Sequence, residues 1–311
     1  MRVVLVTGIS GSGKSIALNV LEDDGFYCID NLPVQFLPEV IGALQQAGHA
    51  HVAVSIDARS GTSLAELRQI VGGLSHHGHD VKVLFLNART DTLVQRYSET
   101  RRRHPLATRI AARAQREARD AQREARDAQP APGDRAPTLI EAIEHEREVM
   151  SVLEDMGVTI DTSDMHPNML RQWVREVVDA PRATLTLSFV SFAYKQGIPL
   201  DADLVFDVRC LPNPYYVSEL RPLSGLDAAV AAFLCEIPSV QRMIEHIANF
   251  LRTWLPSYVQ EHRSYLTVAL GCTGGQHRSV YCVEQLAGRF SRTEHVLVRH
   301  RALGFKQHAA R

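Results

Sequence analysis

The five residues Val3-Val4-Leu5-Val6-Thr7 run without interruption into Gly8-Ile9-Ser10-Gly11-Ser12-Gly13-Lys14-Ser15, and residues Ser15 to Leu21 favour helix. An apolar strand, a glycine-rich turn and a helix in that order constrain the chain to an α/β fold whose turn caps the end of a parallel strand. The spacing of one glycine, four residues and then Gly-Lys-Ser is that of a loop built to hold a triphosphate. Its glycines let backbone N–H groups converge on phosphate oxygens, Lys14 sets a point charge by the β and γ phosphates, and the Ser15 hydroxyl is the expected Mg²⁺ ligand. The positive end of the following helix faces the same anion. Gly8 to Ser15 are therefore expected to bind nucleotide, with Lys14 acting on the reacting phosphates.

At 311 residues the chain suffices for two domains, each with its own core. No apolar stretch approaches the roughly 20 residues needed to cross a bilayer. The first strand begins at Arg2, so a cytoplasmic protein with no membrane partner is expected. Five cysteines (Cys28, Cys210, Cys235, Cys272, Cys282) without Cys-x-x-Cys spacing indicate neither a disulfide framework nor a zinc site. A net charge of -1 hides an asymmetry: residues 181–311 carry 14 Lys and Arg against 10 Asp and Glu. That mildly basic part permits an anionic partner without demanding one.

Residues 1–180 alternate strand and helix signals, with strands expected at 2–7, 26–29, 51–56, 82–86 and 158–161. This predicts a P-loop domain with a five-stranded parallel sheet. Thr90 or Asp91 would cap the helix carrying Leu93, Val94 and Tyr97, and Asp164 or His166 the helix carrying Met169, Leu170, Trp173, Val174 and Val177. A linker at Asp179-Ala180-Pro181-Arg182 leads to Leu185, Leu187, Phe189 and Ser191, where strand-like alternation restarts and a smaller α/β domain, 181–311, begins. Within the first domain, Ala114-Gln115-Arg116-Glu117-Ala118-Arg119-Asp120 is repeated as residues 121–127. No residue in the repeat is larger than alanine among its apolar members, so it has no face to pack. Residues 108–137 therefore read as an exposed insertion in the lid region.

Other residues suit phosphate chemistry. His51 to Ile56 form a buried-strand run that ends in Asp57, placed either to hold Mg²⁺ through water beside the phosphate loop or to cap the helix that follows. Asp30, after the second strand, is a rival acid. Arg101, Arg102 and Arg103 either close over the triphosphate or balance a helix dipole. In the C-terminal domain, a strand ending in Gly271-Cys272 leads through Thr273-Gly274-Gly275-Gln276-His277 into Arg278-Ser279 and a helix. Backbone amides, helix dipole and Arg278 would form a phosphate nest. The Cys-x5-Arg-Ser spacing also matches a cysteine phosphatase loop, although Gly271 stands where such enzymes carry histidine; a tight structural turn is the third reading. Asn213, Tyr215 and Arg221, on a proline-stiffened stretch, are second-tier ligand contacts.

With both loops in hand, the chain resembles the RapZ/YvcJ family of bacterial P-loop nucleotide-binding proteins, the RapZ-like RNase adapters. The segments GISGSGKS, CIDNLP, DARS, ETRRRHPL, TLIEAIEHER, SFAYKQGIP, DADLVFDVRCLPNP, LRPLSGLD and GCTGGQHRSV carry it, in family order, outside residues 108–137. The resemblance implies a P-loop domain of kinase-like topology joined to the smaller α/β domain, and ATP and GTP binding with slow hydrolysis. It places a second nucleotide contact, assigned to GTP, at Asp57-Ala58-Arg59-Ser60. It also implies an adaptor that presents a small regulatory RNA to an endoribonuclease and senses glucosamine-6-phosphate, or a similar sugar phosphate, through the C-terminal domain. An adaptor spanning a structured RNA is expected to be a homo-oligomer. The chain departs from the family in a tail (299–311) with fewer fixed charges, in Gln276 where some members have lysine, and in Tyr215 where some have histidine. The competing functional readings are a small-molecule kinase and a phosphatase acting through Cys272.

Overall fold

The computed structural model describes residues 1–59, 64–100, 104–106, 138–179, 185–260, 263 and 265–303. Ser60, Arg101 to Arg103, the 108–137 insertion, residues 180–182 of the expected linker and the tail from 304 lie outside the described residues. Among those described, no helix is long and apolar enough to cross a membrane.

The chain divides into two compact units, Met1–Ser163 and Asp164–Arg311. The first runs β1 (Arg2–Gly8), α1 (Lys14–Asp23), β2 (Tyr27–Ile29), α2 (Leu37–Gln46), β3 (His51–Ser55), α3 (Leu64–His76), β4 (Asp80–Asn87), α4 (Thr90–Thr100), α5 (Leu139–Met150) and β5 (Val158–Asp161). The five strands lie in the order β2-β3-β1-β4-β5 and every neighbouring pair is parallel. Parallel strands need crossover connections, and the helices supply them and cover the faces. That burial explains why β1 is an unbroken apolar run: Val3, Val4, Leu5 and Val6 are wholly shielded from solvent. β1 has β3 on one side and β4 on the other, so the order reverses there, which is where an open α/β sheet leaves a crevice for ligand.

The second unit contains α6 (Pro167–Asp179), β6 (Thr186–Ala193), β7 (Leu204–Asp207), α7 (Ala228–Cys235), α8 (Pro238–Gln260), β8 (Tyr265–Cys272), α9 (Arg278–Phe290) and β9 (His295–His300). Its strands are also parallel, in the order β7-β8-β6-β9. Leu187 and Phe189 of β6 pack with Leu266 and Val268 of β8, Ile244 and Leu251 of α8 and Val283 and Leu286 of α9. The alternation expected from Leu185 marks β6 correctly, yet all eight of its residues are buried because both faces are covered. The sequence reading placed α6 with the first domain, whereas here it groups with the second. The Arg299 guanidinium lies 5.9 Å from the Trp173 ring centroid, and Arg301 donates to the Asp164 carboxylate.

Candidate functional site

Gly8 closes β1 with φ 127°, a conformation that glycine tolerates and other residues rarely adopt. A Cβ on Gly8 would lie 2.0 Å from the Leu86 carbonyl oxygen of β4, so the loop leaves the sheet at a point where two backbones touch. Ile9 N–H then donates to that carbonyl at 3.0 Å, and the chain turns through Gly11 and Gly13, both at positive φ, before α1 opens at Lys14. Gly8 to Ser15 thus wrap the helix N-terminus as the spacing requires. Lys14 Nζ donates to Gly8 O at 2.6 Å across the loop. Burial pushes the Lys14 ammonium below the usual lysine pKa, and the negative charges of Glu146, Asp57 and Asp30 oppose that shift while Arg59 adds to it. Both expected acids, Asp57 and Asp30, therefore act on the loop lysine.

Asp57 follows β3 and is nearly buried. Its carboxylate accepts Arg59 N–H at 2.9 Å and Arg59 Nε at 2.6 Å, which settles the local turn and pairs two members of the 57–60 segment; Ala58 between them is buried. Ser15 is exposed at the helix N-terminus, and the buried Ser12 hydroxyl has no hydrogen-bond partner among the described residues. A cradle of glycines, an orphaned hydroxyl, a lysine, an exposed serine and nearby carboxylates fits a nucleoside triphosphate with Mg²⁺. Lys14 and the loop would hold the phosphates, and Ser15 and Asp57 the ion.

The braces of the loop, and of the β4 end beside it, escaped the sequence reading. Glu146 of α5, with no exposed surface, accepts Ser10 N–H at 2.9 Å and Ser10 Oγ–H at 2.7 Å, and lies 3.0 Å from His104 Nε2. Burial alone would raise its pKa, but the His104 hydrogen bond, the Lys14 charge and the Ser10 donors outweigh it and hold the carboxyl below the usual glutamate value. Arg96 of α4 donates to Gly11 O at 3.1 Å and to Thr162 O at 2.6 Å, and Thr162 Oγ donates to Ser12 O at 2.8 Å. Arg147 fixes the end of β4 through Asn87 Oδ1 at 2.6 Å and Ala88 O. One signal could have revealed Glu146: it stands on the core-facing stripe of α5 with Ala142, Ile143 and Met150, a place where a carboxylate needs a reason.

In the second unit β8 ends at Cys272, and α9 begins at Arg278. The intervening turn exposes Thr273 and Gly274 and buries Gly275, at φ 63°. The side chains expected to grip phosphate are turned to the protein. Arg278 Nη1 donates to Arg209 O at 2.8 Å and Leu211 O at 3.0 Å, and Nη2 to Thr273 Oγ at 3.3 Å. His277 Nε2 lies 3.1 Å from Leu220 O. Cys272 Sγ, buried, is 3.2 Å from Ser279 Oγ. Gly271 has a packing cause: a Cβ there would lie 2.4 Å from Phe192 Cζ and 2.5 Å from Tyr194 Cε2, which leaves no room for a histidine. Asn213 Oδ1 accepts Tyr215 N–H at 3.4 Å, and the half-exposed Tyr215 ring carries the Arg221 guanidinium 4.7 Å from its centroid. Arg278 joins the 209–211 stretch to the turn; Asn213, Tyr215 and Arg221 form a second, more exposed group.

Residues 1–128 match the RapZ-like N-terminal domain and residues 185–304 match the RapZ C-terminal domain. A nucleotide-binding protein of Bordetella pertussis is 54% identical over 301 residues, covering 97% of each chain. A nucleotide-binding protein of Paraburkholderia phymatum is 52% identical over 301 residues, covering 97% of this chain and 95% of its own.

Proposed function

This chain belongs to the RapZ family of nucleotide-binding proteins, and on that premise we propose that it is a regulatory protein that binds ATP and GTP with Mg²⁺ and hydrolyses both slowly. The phosphate loop between β1 and α1, with Lys14 at its centre and Asp57 and Asp30 acting on that lysine, carries this reading. With nucleotide bound, Lys14 would neutralise charge on the β and γ phosphates, and Ser15 and Asp57 would hold Mg²⁺. Asp57 to Ser60 form the second nucleotide contact, and Arg101, Arg102 and Arg103 cover the triphosphate. The regulatory output passes through the second unit. Cys272, Thr273, Gly274, Gly275, His277, Arg278 and Ser279, with Asn213 and Tyr215, bind a phosphorylated metabolite of the amino sugar phosphate class. The protein presents a small regulatory RNA to an endoribonuclease as a cytoplasmic homo-oligomer. Arg278 donates to the carbonyls of Arg209 and Leu211 and to Thr273 Oγ, so in this reading it contributes by ordering the turn, and it is not placed to clamp a phosphate for turnover by Cys272.

Calorimetric titration of the full chain with MgATP and MgGTP, beside Lys14→Ala, tests the first part; saturable binding lost in the variant is expected, and no binding by the wild type overturns it. Structured bacterial small RNAs titrated at low and physiological salt test the second. Selective binding that survives physiological salt supports the adaptor, and unselective binding that vanishes removes it. The exposed Asp30 after β2, whose charge acts on Lys14, favours one rival reading, a small-molecule kinase. Hydrolysis to ADP with no labelled acceptor in metabolite extracts would remove that rival.

A further inference from the structure

We propose that Glu146 is a positioning residue for the phosphate loop and that His104, hydrogen-bonded to the same carboxylate, holds it in place for Ser10. This rests on the nucleotide-binding reading. Ser10 lies inside the loop, 136 residues from Glu146 in sequence, and gives that one carboxylate both its backbone N–H and its hydroxyl. Two donors on one acceptor group fix the Ser10 backbone as well as its side chain, which a contact to the hydroxyl alone would not do. The third donor, His104 Nε2 at 3.0 Å, is also buried, and its Nδ1 accepts Leu106 N–H at 3.2 Å, which assigns the proton to Nε2. The Tyr97 ring of α4 packs against the His104 imidazole at 5.4 Å between centroids and closes the other side.

The cost of the arrangement argues for its purpose. A carboxylate with no exposed surface is unfavourable unless its lone pairs are satisfied, and an apolar residue would serve the α5 core at this position as Ala142, Ile143 and Met150 do beside it. What the carboxylate adds is a fixed point for Ser10. Its neighbours in the loop are held independently, Gly11 O by Arg96 and Ser12 O by Thr162, so Ser10 is the one place where α5 grips the loop by hydrogen bonds among the described residues. His104 holds the same carboxylate in place through a hydrogen bond of its own.

The test is a set of MgATP dissociation constants for folded full-length variants. Glu146→Gln and Ser10→Ala are each expected to weaken binding about tenfold, and the double variant about tenfold rather than a hundredfold, because both remove one linkage. His104→Gln, which keeps an N–H donor, is expected within about twofold of wild type, while His104→Leu falls with Glu146→Gln. Wild-type affinity in folded Glu146→Gln, or additive losses in the double variant, overturns the proposal. If neither Glu146 nor the double variant folds, the Ser10→Ala and paired His104 measurements decide it: equal affinity in His104→Gln and His104→Leu overturns it. Absence of MgATP and MgGTP binding by the wild type refutes the nucleotide-binding reading instead.

Discussion

Replacing Gly8 by alanine measures how closely β1 and β4 approach at the mouth of the loop. With φ 127°, an L side chain at Gly8 costs about 1–3 kcal/mol in backbone strain. Its Cβ would lie 2.0 Å from Leu86 O and 2.5 Å from Leu86 N. Leu86 cannot retreat freely, since it is in register with Gly8 and its carbonyl accepts Ile9 N–H at 3.0 Å. Forcing an extra methyl into such a site costs a further ~1–3 kcal/mol. The total is roughly 2–6 kcal/mol, and at about 2–4 °C per kcal/mol for a unit of this size the first unit should melt ~4–24 °C lower. Gly25 supplies the control: its φ is 86°, but a Cβ there meets nothing within 4 Å. Gly25→Ala should therefore show the backbone term alone, about 1–2 kcal/mol. Thermal unfolding of both full-length variants by circular dichroism, with urea midpoints as a second measure, gives the difference. Equal losses at the two positions would refute the close approach as the reason glycine stands at 8.

Thr138→Ala removes the capping box in which Thr138 Oγ accepts Glu141 N–H and the Glu141 carboxylate accepts Thr138 N–H; thermal melting should show a loss of about 1 kcal/mol. Because the folded pKa of Glu146 is depressed, its stabilising contribution is complete above the usual value of 4.5 and is lost as pH falls through the lower folded value. Urea midpoints from pH 6 downward should fall more steeply for wild type than for Glu146→Gln, and parallel slopes would contradict the assignment. Arg278→Met leaves the carbonyls of Arg209 and Leu211 without their donor and should destabilise the second unit by about 2–4 kcal/mol in urea titration. Iodoacetamide should modify exposed Cys210 and Cys235 before buried Cys272 and Cys282, the last with its thiol pushed up to about 12 by burial; mass spectrometry of the native protein reads the order.

The phosphate loop was legible because its signal is local: eight consecutive residues supply the glycine turn, the lysine and the exposed serine at the helix start. The five strands of the first sheet were legible for a related reason, since strands covered on both faces leave unbroken apolar runs such as Val3 to Val6. The braces were not, because Glu146, Arg96 and Thr162 reach the loop only after the sheet has been built, across 136, 85 and 150 residues of chain. The second unit shows a different limit. Cys272 to Ser279 advertise a phosphate grip by spacing, but spacing does not say which way Arg278 points, and two backbone carbonyls have claimed it. The grouping of α6 was equally hidden, because the Arg299 contact to Trp173 joins segments far apart in the chain and leaves no local pattern.

The strand that carries the phosphate loop is flanked on both sides, while β2 is a three-residue edge strand with a half-exposed Tyr27. Amide hydrogens of β1 can exchange with solvent only when the whole first unit opens, whereas those of β2 exchange through local fraying. A nucleotide held at the tip of β1, as proposed, would be fastened to the last part of the unit to come apart. Its binding free energy would slow exchange where protection is already greatest, and the edge would go on breathing beside the occupied site.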